Sequence, residues 1–538
     1  MRLEHLYLRS FKNLRELHVN FDAKSPYTVL VGGNGCGKSN LIEAIAWIFR
    51  NLDLGEPAPF DYEIRYQCRG NDIKITAAHR QTPRFETRLI GQNDYSRITK
   101  TEFMKEDADE RPLYRPAFIF GYYSGPSDRL SELFEKHRER FRKNIIQPAP
   151  RRRVVQSNSL RRLFYTRTIH GQFALLAFFM DASGTDDRAF LKEHLRIEGL
   201  DSVMFALKEP DWPWRGRKGG DERFWRAEGE VKDLLTRLYE AALVPMRMPR
   251  RMQLDLARNP PVENLYLFLP DKQALADVFD PYKNQYAFFT ALESIDISTL
   301  LGEVVTRVTM TAEAGGGAVT YRDLSEGEQQ LLLVLGLLKF TAEDEALFLL
   351  DEPDTHLNPA WSVEYLGFLD RFVKRRENCH IVMATHDPLL FARLLKEQVR
   401  IIRREPDGSI AVDEPEEDPQ GMGIEAILTS DLFRLRTTLD RPTQDLLDNR
   451  RRLSMKDGPL TDTERQELSD LNEKLRPLAF SKTSRDPLFQ LFLEAWTAQE
   501  NPEWREVMQL TEEQRHEREL LAQKIVLELR GEVGHDAD

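Results

Sequence analysis

Apolar and polar residues alternate through much of the first 31 residues, which predicts β-strands. Residues 27–31 are mostly apolar and predict a short buried strand. The period then changes, because apolar residues recur at intervals of three and four, which predicts a helix with one apolar face. Its apolar positions are Leu41, Ile42, Ile45, Ile48 and Phe49.

The remaining chain reads as a mixture of strands and helices. Strands are predicted at residues 61–80, 118–123, 304–311, 318–321, 346–350 and 380–384. One helix is predicted to begin near Leu130, and a second, long and apolar, is predicted to end at Phe340. Residues 181–300 carry mixed helical patterns, and the tail after about residue 425 reads as helical, with a capping box at Thr461.

Composition is that of an ordinary soluble globular protein, with 41% hydrophobic and 30% charged residues among 538. No stretch reaches the roughly 18 apolar residues of a membrane span, and the start lacks the apolar core of a signal peptide. Only three cysteines are present, which predicts a reducing cytoplasm. The net charge of −12 disfavours nucleic-acid binding over the whole surface but allows a local basic groove.

Residues 32–39 read Gly-Gly-Asn-Gly-Cys-Gly-Lys-Ser and lie between the buried strand and the first helix. This is the phosphate-loop pattern in its required strand–loop–helix setting. The glycines let backbone N–H groups cradle the α- and β-phosphates, Lys38 reaches the β- and γ-oxygens, and the Ser39 hydroxyl ligates Mg²⁺. The dipole of the helix favours the same anion.

Two later strands end in residues that complete such a site. Residues 346–350 lead into Asp351, suited to Mg²⁺, and Glu352, suited to polarising a water for attack on the γ-phosphate. Residues 380–384 lead into His386, within reach of the γ-phosphate.

The phosphate loop and Asp351 must meet at one Mg²⁺, although they lie far apart in sequence. The ATPase domain is therefore predicted to be discontinuous. It comprises residues 1–120 and 301–425, with a mostly helical insertion at 121–300 and an all-helical C-terminal region at 426–538.

Three features admit two interpretations each. The turn at Lys12 is a polar hairpin turn or a nucleotide contact. Three tryptophans at residues 212–225, beside Arg215, Arg217 and Lys218, form a packed loop or stack on bases. A basic run forms a solvated helix face with a linker, or contacts a phosphate backbone. Its residues are Arg138, Arg140, Arg142, Lys143, Arg151, Arg152, Arg153, Arg161 and Arg162.

The phosphate loop, residues 324–328 (Leu-Ser-Glu-Gly-Glu), the strand ending in Asp-Glu-Pro and the strand ending in Thr-His, in that order, resemble the ABC-type ATPases. Residues 11–13 and 38–45 resemble the SMC, RecF and OLD branch. More narrowly, residues 121–125 and 423–433 and the helical tail resemble AAA-family ATPases of prokaryotic anti-phage systems, such as PtuA of Septu and retron-associated Septu modules. The resemblance implies an α/β fold with an ABC-type P-loop ATPase head.

The resemblance also implies a mechanism. Two chains stack head to tail, and each ATP lies between the phosphate loop of one and the signature, residues 325–328, of the other. With one copy of each motif, the chain must form a homodimer or a higher even oligomer. Glu352 is then the catalytic base, His386 the γ-phosphate contact, and Ser39 and Asp351 the Mg²⁺ ligands. The implied nucleotide contacts are Lys12, Asn34, Gly35, Cys36, Gly37, Lys38, Ser39, Asn40, Ser325, Gly327 and Glu328.

Three departures from the family pattern predict slow or conditional hydrolysis. Glu326 replaces a signature glycine, Asn358 stands where many members carry a D-loop aspartate, and no Q-loop glutamine precedes Gly121.

Two functions remain open at this point. One is the ATPase subunit of an anti-phage complex that gates a separate nuclease effector, expected to be of the HNH type, with DNA or a retron nucleic acid as a further partner. The tail favours it, because OLD-type nucleases carry there a Toprim domain, which needs strands. The alternative is a RecF- or SMC-like repair or recombination ATPase that clamps DNA. The Asp351–Glu352 pair argues against a non-catalytic ATP-binding scaffold, and no membrane partner is expected.

Overall fold

The computed structural model describes residues 1–22, 24–108, 111–146, 162–180, 185–215, 219–251, 261–282, 284–341, 345–373, 378–454, 456, 460–475, 478 and 512–530. The chain divides into two compact units, Met1–Leu435 and Arg436–Asp538. The strands are β1 (Arg2–Phe11), β2 (Leu14–Asn20), β3 (Tyr27–Val31), β4 (Tyr62–Cys68), β5 (Asn71–Ala77), β6 (Arg84–Leu89), β7 (Ser96–Ile98), β8 (Phe118–Tyr123), β9 (Leu163–Tyr165), β10 (Ile197–Lys208), β11 (Met246–Arg251), β12 (Pro261–Leu269), β13 (Leu301–Met310), β14 (Ala318–Thr320), β15 (Ala346–Asp351), β16 (Cys379–Ala384), β17 (Val399–Arg404) and β18 (Ile410–Asp413). The helices are α1 (Lys38–Leu54), α2 (Lys100–Phe103), α3 (Arg129–Ile146), α4 (Thr168–Phe179), α5 (Thr185–Leu195), α6 (Gly229–Ala241), α7 (Lys272–Phe279), α8 (Gln285–Ile297), α9 (Glu326–Thr341), α10 (Pro359–Phe372), α11 (Ile424–Thr429), α12 (Arg441–Ser454), α13 (Asp462–Leu475) and α14 (Glu512–Arg530).

A seven-stranded sheet forms the centre of the first unit, in the order β18-β17-β3-β16-β15-β8-β9. All neighbours pair in parallel except β17 and β18. Every residue of β3, β15 and β16 is buried. These strands are nearly continuous apolar runs because both faces of a parallel sheet are covered by other elements.

Side chains that alternate along the central strands pack into two different cores. Leu30, Leu349 and Val382 pack with α1 and with the six-stranded sheet β2-β1-β4-β5-β6-β7. Val29 and Phe348 lie in the other core, with α4, α9 and α10 and the five-stranded sheet β11-β12-β10-β13-β14. Helix α1 and the phosphate loop before it are thereby fixed between two sheets.

Most predicted elements are confirmed. Residues 61–80 form the antiparallel pair β4–β5, residues 304–321 contain the pair β13–β14, and the helix expected from Leu130 is α3. In the second unit the described elements are the helices α12, α13 and α14. Thr461 and Glu464 form the expected capping box, since the Glu464 carboxylate accepts from Thr461 N and the Thr461 hydroxyl accepts from Glu464 N.

The structure differs from the predicted insertion in two respects. Helices outnumber strands in residues 121–300, but β10, β11 and β12 of this segment are neighbours in the five-stranded sheet, which the sequence did not predict. The pairing of β10 with β13 shifts register at three places, and each shift breaks the alternation that identifies a strand. The expected boundary at residue 120 falls inside β8, which belongs to the central sheet with β9.

The tryptophan-containing segment is packed against its own surroundings. Trp212 and Trp225 are buried, and the indole N–H groups of Trp212 and Trp214 donate to Ser298 O and to Glu209. These contacts support the packed-loop interpretation. Arg217 and Lys218 lie outside the described residues, so this part of the prediction stays open.

Several cations of the basic run are engaged within the chain. Arg138 pairs with Glu135, Arg142 pairs with Asp211, and Arg162 pairs with Asp53. Residues 151–153 and 161 lie outside the described residues. Among the helices that the structure describes, none is long and apolar enough to cross a bilayer.

A buried charge cluster joins α1 to α3 and to the strand β9. Asp53 accepts from Arg115 at 2.7 Å, from Arg162 at 3.0 Å, and contacts His137 Nε2 at 3.0 Å. Burial raises the pKa of Asp53, but the His137 hydrogen bond and the two guanidinium groups lower it further, and the net result lies well below the usual range. The carboxylate therefore stays ionised, and it ties three elements together.

Asp53→Asn is expected to reduce the free energy of unfolding by about 3 kcal/mol, because it leaves the buried Arg115 guanidinium without its nearest carboxylate. The measurement is the urea midpoint. The matched control is Glu364→Gln, which removes an exposed carboxylate 3.0 Å from Arg393 and should cost less than about 1 kcal/mol. Equal losses in the two variants would contradict a structural role for the cluster.

Candidate active site

The candidate site lies at the carboxyl ends of four neighbouring parallel strands, β3, β16, β15 and β8. The pairing register places Leu30, Ala384, Asp351 and Tyr123 in one row. The phosphate loop, Thr385-His386, Glu352 and the turn after Tyr123 all continue from this row. Ligands of open parallel sheets bind at this edge, because the connecting loops converge there.

The phosphate loop contains two glycines at positions where a side chain would collide. A Cβ on Gly32 would lie 2.1 Å from the Ile402 carbonyl oxygen, and a Cβ on Gly37 would lie 2.6 Å from Leu14 Cδ2. Gly37 has φ 108°, and α1 begins directly after it. A Cβ on Gly33 or Gly35 would have no neighbour within 4 Å, so the loop is open above these residues. An open cradle at a helix N-terminus fits the phosphates of a nucleotide.

Lys38, the first residue of α1, folds back over this cradle. Its Nζ donates to Gly32 O at 2.7 Å and to Gly33 O at 3.4 Å. Burial lowers the pKa of Lys38, and the nearby Cys36, Glu352 and Asp351 oppose that shift. The ammonium is thus held by carbonyl oxygens in the position where phosphate oxygens would replace them.

Asp351 fits a Mg²⁺ ion. Its side chain is buried, and Oδ1 has no hydrogen-bond partner among the described residues. Burial raises the pKa of Asp351, while a hydrogen bond with Ser39 lowers it. An unpartnered carboxylate oxygen beside a hydroxyl suits a hard cation that takes its remaining ligands from water and phosphate. Bound there, Mg²⁺ would neutralise charge on the β- and γ-phosphates.

Glu352 and His386 face each other beside the loop. His386 Nε2 lies 3.4 Å from Glu352 Oε1. Burial lowers the pKa of His386, as does the charge of Lys38, so the imidazole is neutral at pH 7. Glu352 has φ 55°, a conformation that costs energy for a residue other than glycine. Its N–H donates to Ala384 O at 2.8 Å, which holds that conformation in place.

Asp354 joins the loops that carry these two residues. It is buried, and the Thr385 hydroxyl donates to its Oδ2. Burial raises the pKa of Asp354 to about 7, although the Thr385 hydrogen bond lowers it. The contact keeps His386 against Glu352. No local pattern in the sequence marks Asp354, since its partner lies 31 residues away.

The N-terminal turn reaches the phosphate loop through Asn13. Its Nδ2 donates to Gly35 O at 3.2 Å, and its Oδ1 accepts from Asn40 Nδ2 at 2.6 Å. Lys12, the residue proposed as a nucleotide contact, instead forms an ion pair with Glu43 of α1. The nucleotide contact that the sequence suggested for Lys12 stays a prediction.

The other residues of the phosphate loop differ in their exposure to solvent. Cys36 is buried beneath the loop, whereas Asn34 and Gly35 are exposed. Asn34 lines a cavity of about 600 Å³ with Gly32, Gly33 and the end of β17. Arg404 of β17 donates to Gly35 O at 3.2 Å, a contact that the sequence did not predict.

The signature residues lie at the start of α9. Ser325, Gly327 and Glu328 line a second cavity of about 530 Å³, and no residue lines both cavities. Ser325 and Glu328 form a capping box at the start of α9: the Ser325 N–H donates to the Glu328 carboxylate at 2.7 Å, and Ser325 Oγ accepts from Glu328 N at 3.3 Å. A Cβ on Gly327 would lie 2.5 Å from His356 O.

Two departures from the family pattern lie at this second cavity. Glu326 pairs with His356, whose Nδ1 is 3.1 Å from its carboxylate. The Asn358 side chain caps α10 by accepting from Trp361 N at 3.0 Å.

Residues 27–392 match the family described as "AAA domain, putative AbiEii toxin, Type IV TA system". This range is more than half of the chain, and it contains the phosphate loop, Asp351, Glu352 and His386. The chain belongs to this AAA-domain family. Membership confirms the class of ATPase that the motifs indicated.

Two curated relatives share parts of the sequence. Septu protein PtuA of Bacillus mycoides is 24% identical over 160 residues, which are 28% of this chain and 22% of PtuA. The DNA replication and repair protein RecF of Thermosynechococcus vestitus is 52% identical over 48 residues, 9% of this chain and 12% of RecF. The chain thus spans about a fifth of the PtuA relative and about an eighth of the RecF relative.

Solved structures show only a weak likeness. An SMC head bound to the C-terminal winged-helix domain of ScpA has a TM-score of 0.32 at 13% identity, over 77% of this chain and 98% of that chain. RecF with ATP has a TM-score of 0.27 at 13% identity, over 77% and 97%. The family assignment rests instead on residues 27–392.

The stability of the Asp354→Asn variant is expected to increase relative to that of the parent chain as the pH rises. The pKa of Asp354 is raised in the fold, so the parent loses stability from about pH 4, where the unfolded chain ionises, to about pH 7. Asparagine does not ionise and keeps an oxygen for the Thr385 hydroxyl. The measurement is Tm of both proteins from pH 5 to pH 8. Parallel Tm curves would contradict the raised pKa.

Proposed function

We propose that this chain is the ATP-binding and ATP-hydrolysing subunit of a prokaryotic anti-phage defence complex, and that its nucleotide state regulates a separate nuclease, of the HNH type. The observation that carries the proposal is the meeting of the phosphate loop, Asp351, Glu352 and His386 at one sheet edge, in a chain similar to Septu protein PtuA.

Each residue has a defined part in the proposed reaction. The phosphates of ATP enter the cradle, and Lys38 exchanges its carbonyl partners for phosphate oxygens. Glu352, 35% exposed, is open enough to accept a proton from an attacking water. The single N–H of neutral His386 donates to the γ-phosphate. Asp351 and Ser39 hold Mg²⁺.

A second copy of the chain would supply the signature. Ser325 and Gly327 line a different cavity from the phosphate loop, which supports a composite site in which the two motifs come from different copies. Head-to-tail pairing would place Ser325 of one copy over the phosphates held by the other. The resulting assembly is a homodimer or a higher even oligomer.

The nuclease is proposed as a partner because the part of the tail that the structure describes is helical, α12 to α14, where an OLD-type nuclease domain would need strands. DNA or a retron nucleic acid is proposed as a further ligand of the complex.

A RecF-like DNA clamp is the second candidate. The observation in its favour is the local identity of 52% to RecF over 48 residues. Two cations of α3 that would serve it, Arg138 and Arg142, are already paired with Glu135 and Asp211. This pairing lowers the positive charge open to a phosphate backbone.

Glu352→Gln is expected to lower ATP turnover by about 10²–10⁴-fold, because the amide does not act as a general base. ATP binding and ATP-dependent pairing of chains should persist, since the change keeps the shape of the side chain. The measurements are phosphate release and mass in solution, with Glu364→Gln as the carboxylate-to-amide control. Unchanged turnover would remove Glu352 from the proposed role.

A mixing experiment tests the composite site. Lys38→Ala and Ser325→Arg are each expected to be inactive alone, but their mixture should regain turnover, because a mixed pair keeps one intact phosphate loop opposite one intact signature. Loss of the Ser325 cap costs about 1 kcal/mol, too little to unfold a domain. Thermal melting of both variants verifies folding. Folded variants that stay inactive when mixed would argue against the shared site.

A further inference from the structure

Arg129 occupies a position between the candidate Mg²⁺ site and the first helix of the insertion. It is the first residue of α3 and follows β8, whose last residue, Tyr123, pairs with Asp351 in the sheet. One guanidinium nitrogen, Nη2, lies 3.9 Å from Asp351 Oδ2. The guanidinium carbon lies 5.8 Å from the ring centre of Tyr123. No local pattern in the sequence marks Arg129, since 222 positions separate it from Asp351.

Arg129 and Asp351 lie close together, but their separation is longer than a hydrogen bond. A charge-assisted hydrogen bond is usually 2.7–2.9 Å long, whereas this separation is 3.9 Å. The side chain of Arg129 is 36% exposed, and Asp351 is 5% exposed. Lys12 already pairs with Glu43, the other carboxylate near Arg129. Arg129 therefore offsets the charge of Asp351 without being committed to it.

A hydrogen-bonded relay also links Arg129 to the phosphate loop. Its Nη1 donates to Asn40 Oδ1 at 3.3 Å, Asn40 Nδ2 donates to Asn13 Oδ1 at 2.6 Å, and Asn13 Nδ2 donates to Gly35 O at 3.2 Å. A change at the loop or at Asp351 thus acts on the same side chain by two separate routes.

We propose that Arg129 senses ATP by exchanging Asp351 for a γ-phosphate oxygen, and that this exchange moves the start of α3. The inference rests on the proposed function, since it requires ATP with Mg²⁺ at this site. A cation on Asp351 repels the guanidinium, and the added phosphates attract it, so both changes act in one direction. Guanidinium N–H groups suit phosphate oxygens in geometry as well as in charge.

Helix α3 is placed to transmit the change. Besides α1 and β8, it contacts β9, α6 and α8, so it lies against both the central sheet and the helices of the insertion. Its His137 contacts the buried Asp53, which anchors the middle of the helix. Movement is therefore expected in the first turn, at residues 129–133, and not along the whole helix.

The test uses the full chain, a non-hydrolysable ATP analogue with Mg²⁺, and ADP with Mg²⁺. Hydrogen–deuterium exchange of residues 129–133 should change more with the ATP analogue than with ADP, because ADP brings Mg²⁺ and fills the loop but lacks the γ-phosphate. Arg129→Ala should abolish this change at saturating analogue and weaken analogue binding by about 10- to 100-fold, the size of one charge-assisted hydrogen bond. ADP binding should stay the same. Arg129→Lys, which keeps the charge but not the planar donor geometry, should recover part of the affinity and of the exchange response.

The matched control is Arg138→Ala, on the same helix, whose side chain is 29% exposed and pairs with Glu135. It should leave both readouts unchanged. Analogue binding without any exchange response in the parent chain would overturn this inference and leave the ATPase function intact. Equal effects of Arg129→Ala and Arg138→Ala, or a lysine variant no better than alanine, would also overturn it. A parent chain that binds no ATP analogue would instead refute the proposed function.

Discussion

The parallel pairing of β3, β16 and β15 is the constraint on which the site depends. All residues of these strands are buried, so a slip of one position would turn each apolar side chain to the wrong core. The register therefore fixes Asp351 beside Ala384. The hydrogen bond from Glu352 N to Ala384 O extends that pairing one residue beyond the strand. It holds Glu352 in a left-handed conformation close to His386.

The charged groups at this sheet edge suit the binding of a polyanion together with a cation. Burial raises the pKa of Asp354 to about 7 and also raises the pKa of Asp351. The cations of the site have weak partners: Lys38 bonds to loop carbonyls, and Arg129 stands 3.9 Å from Asp351. Phosphate oxygens replace carbonyl oxygens around an ammonium at a net gain, because the new contact joins opposite charges. The preformed site thus favours nucleotide binding without large rearrangement.

The signature residues Ser325, Gly327 and Glu328 lie in a different environment from the phosphate loop. Ser325 and Glu328 cap α9, and Gly327 packs against the backbone of His356, so contacts within the same chain position the signature. The match to the AAA-domain family covers residues 27–392, which include both the phosphate loop and the signature. The described helices α12 to α14 lie beyond that range.

The sequence by itself determined the local chemistry. The phosphate loop, the acidic strand end and His386 were found because each depends on residues adjacent in the chain, where glycine placement and apolar runs leave a direct pattern. Tertiary structure decided which side chains meet. Asn13 on Gly35, Asp354 on Thr385 and Arg129 beside Asp351 join distant segments, and such contacts leave no local signal. Strands β10, β11 and β12 of the five-stranded sheet were missed for the same physical reason: they are stabilised by pairing between remote segments, and in β10 the register shifts also interrupt the alternation that identifies a strand.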